Sequence, residues 1–238
     1  MPPELATTRY HCQMLSTPTV KKRRSAPDLS LERAASGLVA GIDEAGRGPW
    51  AGPVVAAAVI LDADRLSRKL VIGLDDSKKL SPGRRIELFE ALPDYARIGI
   101  GAASAPLIDE INVLAATMTA MGRAVAALRM VPDFALVDGN RLPELPCPAR
   151  AVVGGDGRSL SIAAASIVAK VIRDRTMAAL ATRYPEFGWD TNAGYGTARH
   201  KVALEALGVT RHHRRSYAPV HKILSQDRVQ TRYYFVSP

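Results

Sequence analysis

Cysteine is nearly absent from this chain of 238 residues: Cys12 and Cys147 stand alone, and neither has a partner at CxxC spacing. That argues against a disulfide framework and a thiolate zinc site, and it fits a reducing compartment. A long apolar run is missing too. A membrane span would need about 18 uninterrupted apolar residues, so none is expected. The first residues lack the basic opening and apolar centre of a secretory signal. Their basic, Ser/Thr-bearing composition would suit a transit peptide, but Glu4, Asp28 and Glu32 count against one. A cytoplasmic protein is therefore expected. No internal repeat is visible. Gly41 to Gly48 lacks the Lys and Ser/Thr that a phosphate-binding loop needs, and Gly99-Ile100-Gly101 lacks the third glycine of a dinucleotide fingerprint. Neither nucleotide motif stands.

Negative charge is in deficit, with 23 Asp and Glu against 32 Lys and Arg and a formal net charge of +9. Such an excess favours a polyanionic partner, because basic side chains displace counterions from phosphates. A basic surface that binds nothing would show the same balance. Residues 1–36 have no apolar periodicity and carry four prolines and the run Lys21-Lys22-Arg23-Arg24. They read as a disordered basic extension, so order should begin at Gly37 and the chain should tolerate removal of everything before it.

Beyond Gly37 apolar runs alternate with helical patterns. Leu38 to Asp43 and Val54 to Leu61 read as buried strands joined by the Gly/Pro-rich turn Gly46–Pro53. Ser81-Pro82 reads as a cap and first-turn proline, opening a helix to about Leu92. Arg97 to Ala103 reads as a third strand. Ile108, Ile111, Ala115, Met118, Gly122, Val125 and Leu128 repeat at helical spacing, as one helix or as two joined near Asn112. Phe134 to Asp138 and Ala149 to Val153 are further strands, Ser159 to about Tyr184 is helical, and a last helix runs from Thr197 to Leu207. The alternation indicates one α/β domain over 37–224 with a mixed sheet, a helical basic C-terminal part, and a tail at 225–238.

Carboxylates fall where such folds build sites. Asp43-Glu44 follows the first strand, Asp138 ends a later one, and Asp156 stands between the next strand and a helix start. Any one of them could be only a turn or a cap. Together they suit phosphodiester hydrolysis, in which two divalent ions about 4 Å apart stabilise the attacking and leaving oxygens. Magnesium prefers carboxylates with retained water, and the lack of a His/Cys cluster before His200 suits that class. The ion expected is Mn²⁺ or Mg²⁺.

The motifs resemble one family. Gly41-Ile42-Asp43-Glu44-Ala45-Gly46-Arg47-Gly48-Pro49 is similar to the opening signature of ribonuclease HII. The likeness continues through Asp76-Ser77-Lys78-Lys79-Leu80, Val137-Asp138-Gly139-Asn140, the stretch Ala164 to Asp174, Gly194-Tyr195-Gly196-Thr197 with His200, and His213 to Val220. These blocks come in the family's order and span 41–220. The resemblance implies an RNase H-like fold, a central mixed sheet flanked by helices. It implies the acid set Asp43, Glu44, Asp138 and Asp156, holding metal and doing catalysis. It implies cleavage of the RNA strand of RNA–DNA hybrids, and incision on the 5′ side of a ribonucleotide embedded in duplex DNA. The rivals are another metal nuclease on a similar sheet, of resolvase or transposase type, and a non-catalytic nucleic-acid-binding protein.

A hybrid must be read through its geometry and its 2′-hydroxyl, not through base identity. Gly46, Arg47 and Gly48 offer backbone amides and a cation beside the acid pair, and by resemblance they sense the RNA-to-DNA junction together with Tyr195. Ser166, Lys170 and Arg173, at i, i+4 and i+7, form one polar stripe that could face phosphates or simply water. Asp76, Ser77 and Lys78 receive no chemical role. Four of the five histidines lie between His200 and His221 among Arg211, Arg214 and Arg215, which reads as a segment gripping the duplex rather than as a zinc site. His200 is placed to orient the Tyr195 loop. A monomer is expected. Tyr233-Tyr234-Phe235 could dock on a sliding clamp, and could equally be a packing contact.

Overall fold

The computed structural model describes residues 26–225. Its first element is a short helix, α1 (Ser30–Ala34), and this corrects the boundary expected at Gly37. Leu160 N–H donates to the Asp28 carbonyl at 3.1 Å. Glu32 Oε1 accepts from Ser159 Oγ at 2.6 Å and from Ser161 N and Oγ at 2.8 and 2.7 Å. Leu31 and Ala35 pack against Val39, Leu136, Val152 and Ile162. A five-residue helix held by main-chain and carboxylate bonds needs no apolar periodicity, which is why the sequence pattern passed over it. Residues 1–25, with the Lys21–Arg24 run, lie outside the described residues, as do 226–238 with Tyr233–Phe235.

The strands β1 (Val39–Ala45) and β2 (Val54–Leu61) pair antiparallel through the turn between them. Two helices follow, α2 (Arg68–Gly73) and α3 (Pro82–Ala91). Ser81 Oγ caps α3 by accepting from Arg84 N at 3.3 Å, with proline at the start of the helix. Next come β3 (Ala96–Ala103), α4 (Ala105–Ala127), β4 (Phe134–Asp138), β5 (Ala149–Val152) and α5 (Leu160–Arg183). The sheet order is β3-β2-β1-β4-β5, with β1, β4 and β5 mutually parallel and the other pairings antiparallel.

Both faces of this sheet are covered, and that explains the unbroken apolar run of β2. Val54, Ala56, Ala58 and Ile60 pack toward α4, with Ala116, Ala120, Met121 and Ala124. Ala57 and Val59 point the other way, toward α5 and its Ala163, Ala164, Ile167 and Val168. Small residues along α5 let it lie close to the strands. At Gly41 a side chain would run into the Ser161–Ile162 main chain, so only glycine lets α5 cross β1 there. Helix α4 breaks at Asn112, whose φ is 67° and whose Oδ1 accepts from Leu114 N and Ala115 N at 2.9 and 3.1 Å. The helical pattern is thus two helices in series, capped at the junction.

A smaller layer completes the domain: α6 (Trp189–Asn192), α7 (Ala198–Leu207) and a final helix over residues 218–225. Trp189, Phe187, Leu204 and Val220 pack there with Met177 of α5. Thr197 caps α7, and Gly208 ends it with φ 76°.

Candidate active site

Three neighbouring parallel strands deliver the acids. Ile42 is paired with Val137, so Asp43 and Asp138 are the next residues on adjacent strands, and Asp138 is in turn paired with Val152 of β5. Asp156 stands four residues beyond Val152, in a single 3₁₀ turn, Gly155–Gly157. Gly155 anchors that turn through both of its main-chain groups: its N donates to Asp138 Oδ1 at 2.7 Å, and its O accepts from Ser159 N at 2.8 Å. The carboxyl ends of parallel strands are where open α/β sheets place their ligands.

Electrostatics link the four groups. Burial raises the Asp43 carboxyl well above the usual carboxylate range, and the charges of Glu44 and Asp138 add to the shift. Glu44 is raised mainly by burial, against the pull of Arg47, whose Nη1 lies 3.3 Å from Glu44 Oε1. Asp156 is raised by burial and then by Asp76 and Asp138. Acids that push one another toward protonation lack positive charge, and a divalent cation supplies it. Among the described residues, no group of three acidic, histidine or cysteine side chains is close enough to cage an ion. The all-carboxylate donors, held toward protonation by burial and by one another, fit a hydrated divalent cation taken up jointly with a substrate phosphate.

The structure adds two residues to this centre. Burial alone would lower the Lys78 ammonium, but Asp76, Asp43, Asp156 and Asp138 together hold it above its ordinary value. Asp76 in turn acts on Asp156. Their loop is pinned to α5 by Ser77 Oγ, 2.9 Å from Ser166 Oγ. In the sequence they stand 32 to 35 residues after Asp43 and Glu44 and at least 60 before Asp138, with no local signal beyond a motif block.

The polar stripe on α5 does not face phosphates as a unit. Ser166 is buried, with its Oγ 2.9 Å from Ser77 Oγ and its hydroxyl favouring the charged form of Asp43. Lys170 is half-buried and paired with Asp174 at 2.7 Å. Arg173 is 1% exposed, and it donates to Pro53 O at 3.1 Å and to Ala51 O at 3.3 Å. Helical spacing put the three on one side, but the turn between β1 and β2 covers Arg173 and the Ser77 loop covers Ser166.

The same turn corrects the reading of the C-terminal basic segment. Arg214 is fully buried and donates to the carbonyls of Gly46, Arg47 and Gly52. A side chain at Gly46, where φ is +97°, would collide with the Arg173 guanidinium. Two buried arginines thus shape the Gly46–Arg47–Gly48 loop from beneath, leaving Arg47 and Gly48 exposed. Carbonyl groups satisfy these arginines where no carboxylate does. Trp50 N donates to Gly194 O at 2.9 Å and brings the Tyr195 loop alongside. Tyr195 is 51% exposed, with its ring against Gly48.

Beneath Tyr195 lies a buried network. His200 Nδ1 is 2.9 Å from Tyr195 O, and His200 Nε2 is 3.2 Å from Trp189 Nε1 and 3.0 Å from His213 Nε2. His213 Nδ1 is 3.0 Å from Thr210 N. Burial, and then the neighbouring His200 and His212, lower the His213 imidazole to about 3. The orienting part expected of His200 matches this placement.

A mixed sheet with acids at adjacent parallel strand ends, beside an exposed arginine and tyrosine, defines an enzyme of ribonuclease H type. Residues 40–220 match the family described as ribonuclease HII. A ribonuclease HII of Rhodospirillum rubrum is 61% identical over 203 residues, 84% of this chain and 93% of that one. The ribonuclease H2 of Pyrococcus horikoshii has a solved structure that superposes with TM-score 0.68 at 32% identity, covering 80% of this chain and 98% of that one. The ribonuclease HII solved in a PCNA complex from Archaeoglobus fulgidus gives 0.63 at 31% identity, covering 76% and 95%. The chain belongs to the ribonuclease HII family.

Proposed function

We propose that this chain hydrolyses the RNA strand of RNA–DNA hybrids and incises duplex DNA on the 5′ side of single embedded ribonucleotides, leaving 3′-hydroxyl and 5′-phosphate ends. One observation supports the reading: Asp43 and Asp138 end paired parallel strands, with Glu44 beside the one and the Asp156 turn bonded to the other, while the Gly46–Arg47–Gly48 loop follows Glu44 and carries the Tyr195 ring against Gly48. Mg²⁺ or Mn²⁺ held by those acids would supply an activated water and charge stabilisation at the leaving 3′ oxygen. The protein's own groups do the rest. The exposed Gly46–Gly48 backbone meets the 2′-hydroxyl, which distinguishes RNA from DNA at one nucleotide. The Tyr195 ring packs on the following deoxyribose. Arg47, Lys78 and Lys170 neutralise phosphates, while Ser166 holds Asp43 and the Ser77 loop in place. Such a task needs no second subunit. A clamp contact through Tyr233-Tyr234-Phe235 would parallel the PCNA complex of the Archaeoglobus fulgidus protein.

The test is a duplex DNA carrying one ribonucleotide, with an all-DNA duplex as control. Cleavage should fall 5′ of the ribonucleotide and require a divalent ion. Asp43→Asn, Asp138→Asn and Asp156→Asn should each cost at least about a hundredfold in turnover, because each removes charge that acts on the transition state. Hybrid affinity should survive, since it comes mainly from phosphate contacts. Equal cleavage of the all-DNA duplex would favour a general nuclease, and an acid variant with near-normal turnover would remove that residue from the catalytic set.

A further inference from the structure

We infer that Glu32, on the short helix before the sheet, is a positioning residue for Asp156. The inference rests on the catalytic assignment of Asp156 above and deepens it. The start of α5 leaves several backbone N–H groups without an intrahelical acceptor. Two of them are satisfied from outside: Leu160 N donates to Asp28 O at 3.1 Å and Ser161 N to Glu32 Oε1 at 2.8 Å. The helix's own cap takes the third, with Ile162 N donating to Ser159 Oγ at 3.2 Å. Glu32 Oε1 also accepts from Ser159 Oγ at 2.6 Å and from Ser161 Oγ at 2.7 Å. Its other oxygen is buried with no hydrogen-bond partner among the described residues. One oxygen thus gathers three donors at the positive pole of a 24-residue helix, where negative charge is favoured.

The chain leading out of the Asp156 turn is what these bonds hold. Ser159 N donates back to Gly155 O at 2.8 Å and Arg158 N to Gly155 O at 2.9 Å, while Asp28 N reaches Arg158 O at 3.4 Å. Gly155 N closes the circuit on Asp138 Oδ1. Without Glu32, Ser159 and Ser161 lose their common acceptor. The Asp156 turn keeps its bond to Asp138, its own main-chain bonds and the Asp28 main-chain bonds to Arg158 and Leu160, but the side-chain hydrogen bonds that tie the start of α5 to α1 are gone. Asp156 then explores positions away from Asp43 and Asp138.

The experiment measures Mn²⁺ binding to the full chain by calorimetry, and amide exchange over residues 155–161, for wild type, Glu32→Ala, Glu32→Gln and Asp156→Asn. Groups that orient metal-holding side chains alter affinity by roughly tenfold to hundredfold when removed, and Glu32→Ala should fall in that range. Its amides from Gly155 to Ser161 should exchange faster. Glu32→Gln keeps the oxygen that takes all three bonds and should restore most of the affinity, which a general loss of packing would not predict. If Glu32→Ala does not fold, Glu32→Asp, with the carboxylate drawn back by one methylene, carries the same comparison. Folded variants with wild-type Mn²⁺ affinity and unchanged exchange would overturn the proposal. Asp156→Asn that binds Mn²⁺ as wild type does would instead sink the site assignment, and the positioning of Asp156 with it.

Discussion

Acid should weaken this protein through His213, and the hydrogen bonds set the size of the effect. His200 Nδ1 faces the Tyr195 carbonyl, so it carries a proton and donates. Its Nε2 is then an acceptor, receiving Trp189 Nε1–H and His213 Nε2–H. His213 Nδ1 is left to accept from Thr210 N. Thr210 Oγ1, 2.9 Å from the same nitrogen, also donates to it, so every partner is satisfied with both rings neutral; a proton on His213 Nδ1 would face the Thr210 amide hydrogen and keep only the hydroxyl, turned to accept. With the folded imidazole lowered to about 3 from 6.5, the unfolded chain binds a proton first as pH falls. Stability is therefore intact above pH 6.5 and lost progressively down to about pH 3. At about 1.4 kcal/mol per unit the full loss is about 5 kcal/mol, of which about 2 kcal/mol is gone by pH 5. Urea melts at pH 7 and pH 5 should show wild type losing about 2 kcal/mol more than His213→Gln, which can still donate to His200 but does not titrate. Equal losses in the two proteins, or a His213 imidazole titrating near 6.5 by NMR, would refute the argument.

Tyr195→Ala should slow incision at a single ribonucleotide by roughly tenfold to hundredfold, since stacking-type contacts are worth about 1–3 kcal/mol. Cleavage of a continuous hybrid should suffer less, because neighbouring 2′-hydroxyls offer other registers, and an unchanged ratio of the two rates would reduce Tyr195 to a packing residue. A chain beginning at Ala26 should melt and cleave like the full chain, with affinity falling at low salt if the Lys21–Arg24 run touches the duplex. A chain beginning at Gly37 loses the bonds of Asp28 and Glu32 and should be about 2–4 kcal/mol less stable. Coincident melting curves for the two would show that residues 26–36 contribute nothing to stability.

Much of the architecture was legible because it is written in local patterns. The two apolar runs from Val39 and Val54, the Ser81-Pro82 and Thr197 caps, and the stop at Gly208 each depend on residues a few positions apart. The junction at Asn112 was half legible: the spacing allowed one helix or two joined there, and the structure takes the second, with Asn112 Oδ1 capping its own downstream amides. Other features depend on partners far along the chain. Helix α1 is held by Ser159 and Ser161, more than a hundred residues away, so its own five residues carry no sign of it.

Charge types in sequence likewise do not say which way a side chain faces. Arg173, Arg214 and His213 looked like surface cations and are buried supports, because carbonyls of the turn after β1 and the ring of His200 supply their partners. Lys78 received no chemical role from its sequence, and only the folding of its loop against α5 sets its ammonium among the acids. The sequence by itself determined the strands, the longer helices and their caps, and it singled out four acids by their motif blocks, since these follow from short-range backbone chemistry and local spacing. Only the tertiary structure decided which cations meet solvent and how the acids come together, because both depend on parallel pairing of strands distant in sequence.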